Sequence, residues 1–145
     1  MARVLIVGCG CRGRALGAAL RADGHAVRGT SRDPGRAAEI EAAGLEAAVA
    51  DPDRLGTIML ALPGVSVVCW LLAGATGPTA TDLHDARLRT LLERLVDTPV
   101  RGFVYEAGPG AQAVHDASAR WHLPVEVVSA AEDPSALRTA VARLL

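Results

Sequence analysis

The sequence predicts an α/β fold in which helices cover both faces of a parallel sheet, and three observations lead to this prediction. Short apolar runs alternate with amphipathic helical patterns along the 145-residue chain. Residues 65–72 are apolar on both faces, as in a central parallel strand. A turn with three glycines joins the first strand to the first helix. Because strands joined by single helices pair in parallel with right-handed crossovers, we expect a three-layer, doubly wound sheet of six strands in the order 3-2-1-4-5-6.

The predicted elements follow one another without a repeat, a linker or a low-complexity segment. The first strand covers residues 4–7, and its helix continues to about residue 22, where Gly24 lies just beyond the last turn. The second strand, 26–29, leads through the capping residue Asp33 and the first-turn proline Pro34 into the helix 35–43. The remaining strands are predicted at 45–50, 65–72, 101–105 and 125–129, and the remaining helices at 54–61, 81–96, 111–120 and 135–144. One domain, 1–145, accounts for the chain, with no separate substrate domain.

The composition excludes several classes of partner. Half of the residues are hydrophobic and only four are aromatic, so the core must consist mainly of Ala, Val and Leu. A net charge of −1 gives no general attraction to nucleic acid or to an anionic membrane. No apolar run approaches the ~20 residues of a membrane span, and no signal peptide precedes the first strand, which predicts a cytoplasmic protein.

The glycine turn is the first candidate binding site. Gly8, Gly10 and Gly13 have the G-x-G-x-x-G spacing, which allows a tight turn, a close approach of the backbone to a phosphate and close packing of helix on strand. The helix that starts at Cys11 and Arg12 presents unpaired N–H groups and the positive end of its dipole to an anion. The turn therefore predicts a pyrophosphate site, with the Arg12 side chain either on a phosphate or in solvent.

The tip of the second strand predicts which dinucleotide is bound. A domain that prefers NAD has an acidic residue about 20 positions beyond the glycines, whereas this sequence has Thr30, Ser31 and Arg32 there. Two hydroxyls and a guanidinium suit a 2′-phosphate by charge and by geometry, so NADP(H) is predicted in preference to NAD(H). Alternatively Arg32 is a solvated arginine, and Asp33 either pairs with it or contacts the ribose.

Two further loops lie at the same predicted edge of the sheet. Asp51 follows the third strand, where its carboxylate either accepts the adenine amino group or caps the turn before Pro52. Leu72, Ala73, Gly74 and Ala75 close the fourth strand, where small residues would let a cofactor pass close to the backbone, although an ordinary loop explains the same residues.

The sequence resembles the atypical and extended short-chain dehydrogenase/reductases, especially the NAD(P)-dependent epimerase/dehydratase-like proteins. The likeness lies in residues 4–10, in residues 24–32 and in Ala50-Asp51 before a short helix, and it extends more loosely through 67–72 and 103–105. The resemblance implies a Rossmann domain in which the glycine loop holds the pyrophosphate, the tip of the second strand selects NADP, and the acid after the third strand meets the adenine.

The catalytic residues of that family are not found in this sequence. The family has a serine at the end of the fifth strand, where this chain has Glu106-Ala107-Gly108. Its Tyr-x-x-x-Lys helix has no counterpart, because the chain contains no lysine and the only tyrosine, Tyr105, lies in a strand. The family's C-terminal substrate lobe is missing as well. Tyrosine-based hydride transfer is therefore not expected, and Glu106 is the remaining candidate for proton transfer, unless it is an ordinary loop glutamate.

The other reactive residues point to structural roles. Cys9 and Cys11 have C-x-C spacing without further nearby ligands, so no metal site is predicted, and a reactive thiol at Cys11 is the alternative to a turn residue. His115 and His122 flank Trp121 and are expected at the surface or in packing. The leucines of the helix at 81–96 either cover the sheet or form a seam for a second subunit.

Two functions are consistent with these observations. The first is a stand-alone NADP(H)-binding module that senses the cofactor, sequesters it or serves a partner protein. The second is an NADPH-dependent oxidoreductase or epimerase-like enzyme whose substrate site is completed by a homodimer or by a partner chain. Binding of S-adenosylmethionine is disfavoured, because its ribose usually requires an acid where this chain has Thr30-Ser31-Arg32.

Overall fold

The structure is a computed structural model that describes residues 2–75, 77–129 and 135–145. The strands are β1 (Arg3–Val7), β2 (Ala26–Ser31), β3 (Glu46–Val49), β4 (Val67–Trp70), β5 (Gly102–Glu106) and β6 (Val125–Val128). The helices are α1 (Cys11–Ala22), α2 (Pro34–Ala42), α3 (Leu55–Leu60), α4 (Ala86–Leu95), α5 (Ala111–Trp121) and α6 (Ser135–Leu144), with one turn of 3-10 helix at Asp82–His84.

The six strands form one parallel sheet in the order β3-β2-β1-β4-β5-β6, which confirms the predicted fold. After β1, the strands β2 and β3 are added on one side of β1. The later strands β4, β5 and β6 are added on its other side. The order therefore reverses between β1 and β4, and the crevice outside the carboxyl ends of these strands is where such sheets bind ligands.

Two apolar clusters hold the helices on opposite faces of the sheet. Buried residues of α1, α2 and α6, such as Leu16, Ile40 and Leu137, pack on one face. Residues of α3, α4 and α5 pack on the other face, which also holds Trp70 and Tyr105. The four predicted seam leucines of α4 all belong to this second cluster and are at most 2% exposed: Leu88, Leu91, Leu92 and Leu95. They cover the sheet and offer no seam to a second subunit.

Several element boundaries differ from the predicted ones. Pairing with β3 extends β2 to Ser31, which aligns with Val49. Pairing with β6 extends β5 to Glu106, which aligns with Val128, so this glutamate belongs to a strand. The helix predicted at 81–96 is divided at Asp85, whose φ of −136° and ψ of −94° are not helical.

Among the helices that the structure describes, none is long and apolar enough to cross a membrane.

Candidate cofactor site

The turn between β1 and α1 has the backbone geometry that its glycines predict. Gly8 has a φ of +83°, and a Cβ there would lie 2.5 Å from the carbonyl oxygen of Leu71. A Cβ on Gly13 would lie 3.1 Å from Cγ2 of Ile6, so this glycine allows α1 to pack closely on β1. Apart from its two chain neighbours, no described residue has an atom within 4 Å of a Cβ on Gly10. Gly10 therefore borders open space.

The first turn of α1 has no cap of its own. Gly10 precedes the helix and has no side chain, and no side chain in the described part of the chain accepts a hydrogen bond from the first turn. The first intrahelical hydrogen bond runs from the Arg14 N–H to the Gly10 carbonyl. The N–H groups of Cys11, Arg12 and Gly13 precede that bond, so they remain available to an external acceptor such as a phosphate.

A cleft of about 250 Å³ lies at the carboxyl ends of the central strands. Seven of the predicted cofactor residues line it: Gly8, Gly10, Thr30, Ser31, Arg32, Leu72 and Gly74. Five others lie outside its lining: Cys11, Arg12, Gly13, Ala73 and Asp51. Arg36, Thr79 and Leu83 also line the cleft and were not predicted. The cleft joins the glycine turn to the tip of β2, where the sequence places the adenosine half of a dinucleotide.

The β2 end of the cleft carries two arginines. Arg32 and Arg36 are exposed, and neither forms an ion pair within the described part of the chain. Asp33 accepts a hydrogen bond from the Gly35 N–H at 2.8 Å as the cap of α2, and its own N–H donates to Ser31 Oγ at 3.1 Å. The carboxylate of Asp33 is thus engaged by the helix and not by Arg32. Arg36 could have been found from the sequence, because it lies in the first turn of the helix that follows Arg32.

The side chain of Asp51 caps its own turn, which is one of the two roles that the sequence left open. Its Oδ1 accepts a hydrogen bond from the Asp53 N–H at 2.9 Å, and its N–H donates to Thr57 Oγ1 at 2.8 Å. Its neighbours Ala50 and Pro52 line the cleft in its place.

Arg12 and Glu106 form an ion pair across the crevice. Glu106 is the last residue of β5 and is only 4% exposed, so it is not the solvated loop glutamate that the sequence also allowed. The Arg12 guanidinium therefore lies against β5 instead of facing the cleft. This pair connects the first turn of α1 to the other half of the sheet.

A buried histidine and a buried tyrosine form a hydrogen-bonded pair beside the cleft. His84 Nδ1 lies 2.5 Å from Tyr105 Oη, and its Nε2 lies 3.2 Å from the Leu72 carbonyl oxygen. The Gly110 N–H donates to Tyr105 Oη at 2.9 Å, so the hydroxyl proton is free for His84 Nδ1. Burial raises the pKa of Tyr105, and the Gly110 hydrogen bond opposes this rise.

The pair fixes the 3-10 turn against the sheet. The indole Nε1–H of Trp70 also donates to the Leu83 carbonyl oxygen at 2.9 Å, and Leu83 lines the cleft. Sequence reasoning missed His84 entirely. No local pattern indicates it, because its partners lie on other elements.

Cys9 lines the cleft, whereas Cys11 and the two histidines that the sequence singled out, His115 and His122, lie outside its lining. Cys9 is buried, and a Cβ on Gly29 would lie 2.6 Å from its Sγ. Burial raises the pKa of Cys9 to about 11. Cys11 is exposed, and its Sγ accepts a hydrogen bond from Arg14 Nη2 at 3.3 Å. His115 and His122 are exposed. The described residues contain no group of three or more His, Cys, Asp or Glu side chains that could hold a metal ion.

A parallel sheet in this order, a glycine turn at its switch point and a cleft over the same strand ends define a dinucleotide-binding Rossmann domain. The sequence profile of the NAD(P)H-binding family matches residues 8–142, and the chain belongs to this family. A search of curated proteins finds no match to the chain.

Solved structures share the fold. A short-chain dehydrogenase/reductase superfamily protein from Agrobacterium tumefaciens, with bound NAD, is 23% identical with a TM-score of 0.70, over 86% of this chain and 48% of that one. A Bacillus halodurans protein provisionally named NAD-dependent epimerase/dehydratase is 18% identical with a TM-score of 0.75, over 89% and 70%. The Citrobacter triphenylmethane reductase, complexed with NADP(H), is 15% identical with a TM-score of 0.65, over 86% and 48%.

The family match bears out an NAD(P)H-binding domain, and these structures confirm that it has the fold found in short-chain dehydrogenase/reductases. The chain spans about half the length of the Agrobacterium and Citrobacter proteins.

Proposed function

We propose that this protein binds NADP(H) in preference to NAD(H) and acts as a cofactor-binding or cofactor-sensing module. The observation that carries the proposal is the β2 end of the cleft, where Arg32 and Arg36 are free of ion pairs with described residues and stand beside Ser31. Two guanidinium groups and a hydroxyl are the donors that a 2′-phosphate requires.

The acidic residue nearest to this end supports the same preference. NAD-specific domains use a carboxylate to accept hydrogen bonds from the ribose hydroxyls. In this chain the Asp33 carboxylate accepts a hydrogen bond from the Gly35 N–H at the start of α2. Because Asp33 does not line the cleft whereas Arg32 and Arg36 do, a ribose without a 2′-phosphate would meet cations at this end.

A titration of the purified protein with NADPH and NADH tests the proposal. We expect NADPH to bind about tenfold more tightly, since one charge-assisted hydrogen bond contributes ~1.5 kcal/mol or more. The Arg32→Ala variant should lose most of this difference and the Arg36→Ala variant part of it. Arg94→Ala, an exposed arginine on α4, is the matched control and should bind like the wild type. Equal affinities for the two cofactors, or binding of neither, would contradict the assignment.

The second candidate is an NADPH-dependent oxidoreductase or epimerase-like enzyme whose substrate site is completed by a second copy or by a partner chain. It is favoured by the buried carboxylate of Glu106 at the end of β5. NADPH oxidation by the purified protein with a panel of carbonyl compounds separates the two candidates. Turnover would support the enzyme, whereas tight NADPH binding without turnover would support the module.

A further inference from the structure

A second cavity lies at the edge of the sheet opposite the cofactor cleft. Its volume is about 270 Å³, close to the volume of about 250 Å³ of that cleft. The end of α4 lines it, together with the segments 100–101 and 121–124, which lead into β5 and β6. Because these segments precede their strands, the cavity borders the amino ends of the sheet. A ligand bound there would not compete for space with a dinucleotide at the carboxyl ends.

The floor of this cavity is apolar. Leu92, Leu95 and Val100 line it and are at most 7% exposed, so they are core residues whose outer surfaces form the floor. The half-buried indole of Trp121 and the side chain of Val96, which is 51% exposed, form part of the rim. An apolar ligand would remove all these surfaces from water, which favours binding.

Trp121 provides a flat wall whose orientation is restrained from outside the cavity. The guanidinium carbon of Arg120 lies 5.3 Å from the centroid of the Trp121 ring. Arg120 lines a neighbouring cavity with Trp121 and does not line this one. The cation–π contact therefore holds the indole without occupying the space beside Val100, and a planar ligand can stack on the ring.

The three polar side chains of the lining are hydrogen-bond donors. The guanidinium of Arg101, the imidazole of His122 and the indole of Trp121 form no hydrogen bond or ion pair with any residue that the structure describes. Arg101 uses only its backbone N–H, which donates to the Ser66 carbonyl oxygen at 2.8 Å. Among the described residues of the lining, none is acidic. The cavity thus combines an apolar floor with an unpaired cation, and a carboxylate complements a guanidinium by charge and by geometry.

We propose that this cavity binds a small amphipathic carboxylate, with its apolar body against Trp121 and Val100 and its carboxylate on Arg101. The volume is below the roughly 300–1,000 Å³ of sites for drug-sized ligands, so the body has one or two rings. A cationic ligand of the same shape would be repelled by Arg101, and an uncharged one would lose the charge-assisted hydrogen bonds. The site is independent of the proposed cofactor function.

A ¹⁵N NMR titration with 2-naphthoate and with its uncharged isostere 2-naphthamide tests the proposal. The two indole N–H signals are internal reporters, because Trp121 lines the cavity whereas Trp70 is buried and donates to the Leu83 carbonyl oxygen. We expect 2-naphthoate to shift the Trp121 signal in a saturable way, with a dissociation constant below about 1 mM, and to leave the Trp70 signal unchanged. The uncharged 2-naphthamide should bind about tenfold more weakly.

Substitution of Arg101 separates the charge from the apolar contacts. Arg101 is exposed, so Arg101→Gln should fold normally, bind 2-naphthoate about tenfold more weakly and bind 2-naphthamide like the wild type. Arg94→Gln is the matched control, an exposed arginine on α4 outside the lining, and should change neither affinity. Saturating NADPH should leave the affinity for 2-naphthoate unchanged.

Several outcomes overturn this inference and leave the proposed cofactor function intact. The first is no shift of the Trp121 signal, and the second is an affinity for 2-naphthoate that equals that for 2-naphthamide or is unaffected by Arg101→Gln. Displacement of 2-naphthoate by NADPH would place the probe in the cofactor cleft. A dimer in analytical ultracentrifugation, with a Trp121 signal that changes with protein concentration, would show that a second copy of the chain covers the cavity.

Discussion

The hydroxyl of Tyr105 has two partners, and its removal leaves both of them without a hydrogen bond. In the Tyr105→Phe variant the Gly110 N–H and His84 Nδ1 stay buried and unpaired. We expect the free energy of unfolding to fall by about 1–3 kcal/mol, which urea denaturation would measure. Thr90→Val removes an exposed hydroxyl from α4 and should change it by less than about 0.5 kcal/mol. Equal effects of the two substitutions would contradict a structural role for the buried pair.

Individual residues are also where sequence reasoning was least complete. The glycine spacing and the hydroxyls of β2 could be interpreted locally, because their roles depend on the backbone of their own turn. The role of His84 could not be interpreted locally, because its partner Tyr105 lies 21 residues away on another element. Glu106 was singled out by its position, but its burial and its pairing with Arg12 depend on contacts between α1 and β5 that no periodicity encodes.

At the scale of the elements, two glycines in the turn between β1 and α1 have different roles, one in binding and one in the stability of the fold. Gly10→Ala adds a methyl group that no described residue beyond its chain neighbours approaches within 4 Å, so we expect an unchanged melting temperature and about tenfold weaker NADPH binding. Gly8→Ala should instead destabilise the fold by more than about 1 kcal/mol, because of its positive φ and the carbonyl oxygen of Leu71. Thermal melts and NADPH titrations of both variants make the comparison. Undiminished NADPH affinity in Gly10→Ala would place the phosphate elsewhere.

The elements themselves were largely predictable, because their hydrophobic periods and their glycine and proline boundaries are local signals. All six strands and six helices were predicted near their observed positions. The errors lie at the ends, where tertiary contacts decide. Pairing with β3 and β6 lengthens β2 and β5, and the contacts of His84 accompany a 3-10 turn in place of the first turn of a longer helix.

For the whole molecule, burial of thiols predicts a loss of stability at alkaline pH. Burial raises the pKa of Cys69 from 9.0 to about 12 and that of Cys9 from 9.0 to about 11. Between pH 9 and these raised pKa values, each thiol has lost its proton in the unfolded chain but keeps it in the folded chain. A rise in pH over this range therefore favours unfolding. This stabilisation is complete below about pH 9 and is lost progressively towards pH 12.

Urea denaturation at a series of pH values checks this prediction. The free energy of unfolding of the wild type should decrease as the pH rises above about 9. Cys69→Ala removes one of the two thiols, so its decrease should be shallower even if its stability at neutral pH is lower. An identical pH dependence in the two proteins would show that ionisation of Cys69 does not contribute.

The hydrogen bonds that hold the 3-10 turn have a thermodynamic consequence for the cleft. The Trp70 indole and the His84 ring fix the carbonyls of Leu83 and Leu72, so this wall is ordered before a ligand arrives. The conformational entropy of ordering it is lost during folding and does not reduce the free energy of association. A preorganised wall of this kind lets contacts with Leu83 contribute fully to affinity. The affinity of the cleft and the stability of the domain therefore depend on the same few internal hydrogen bonds.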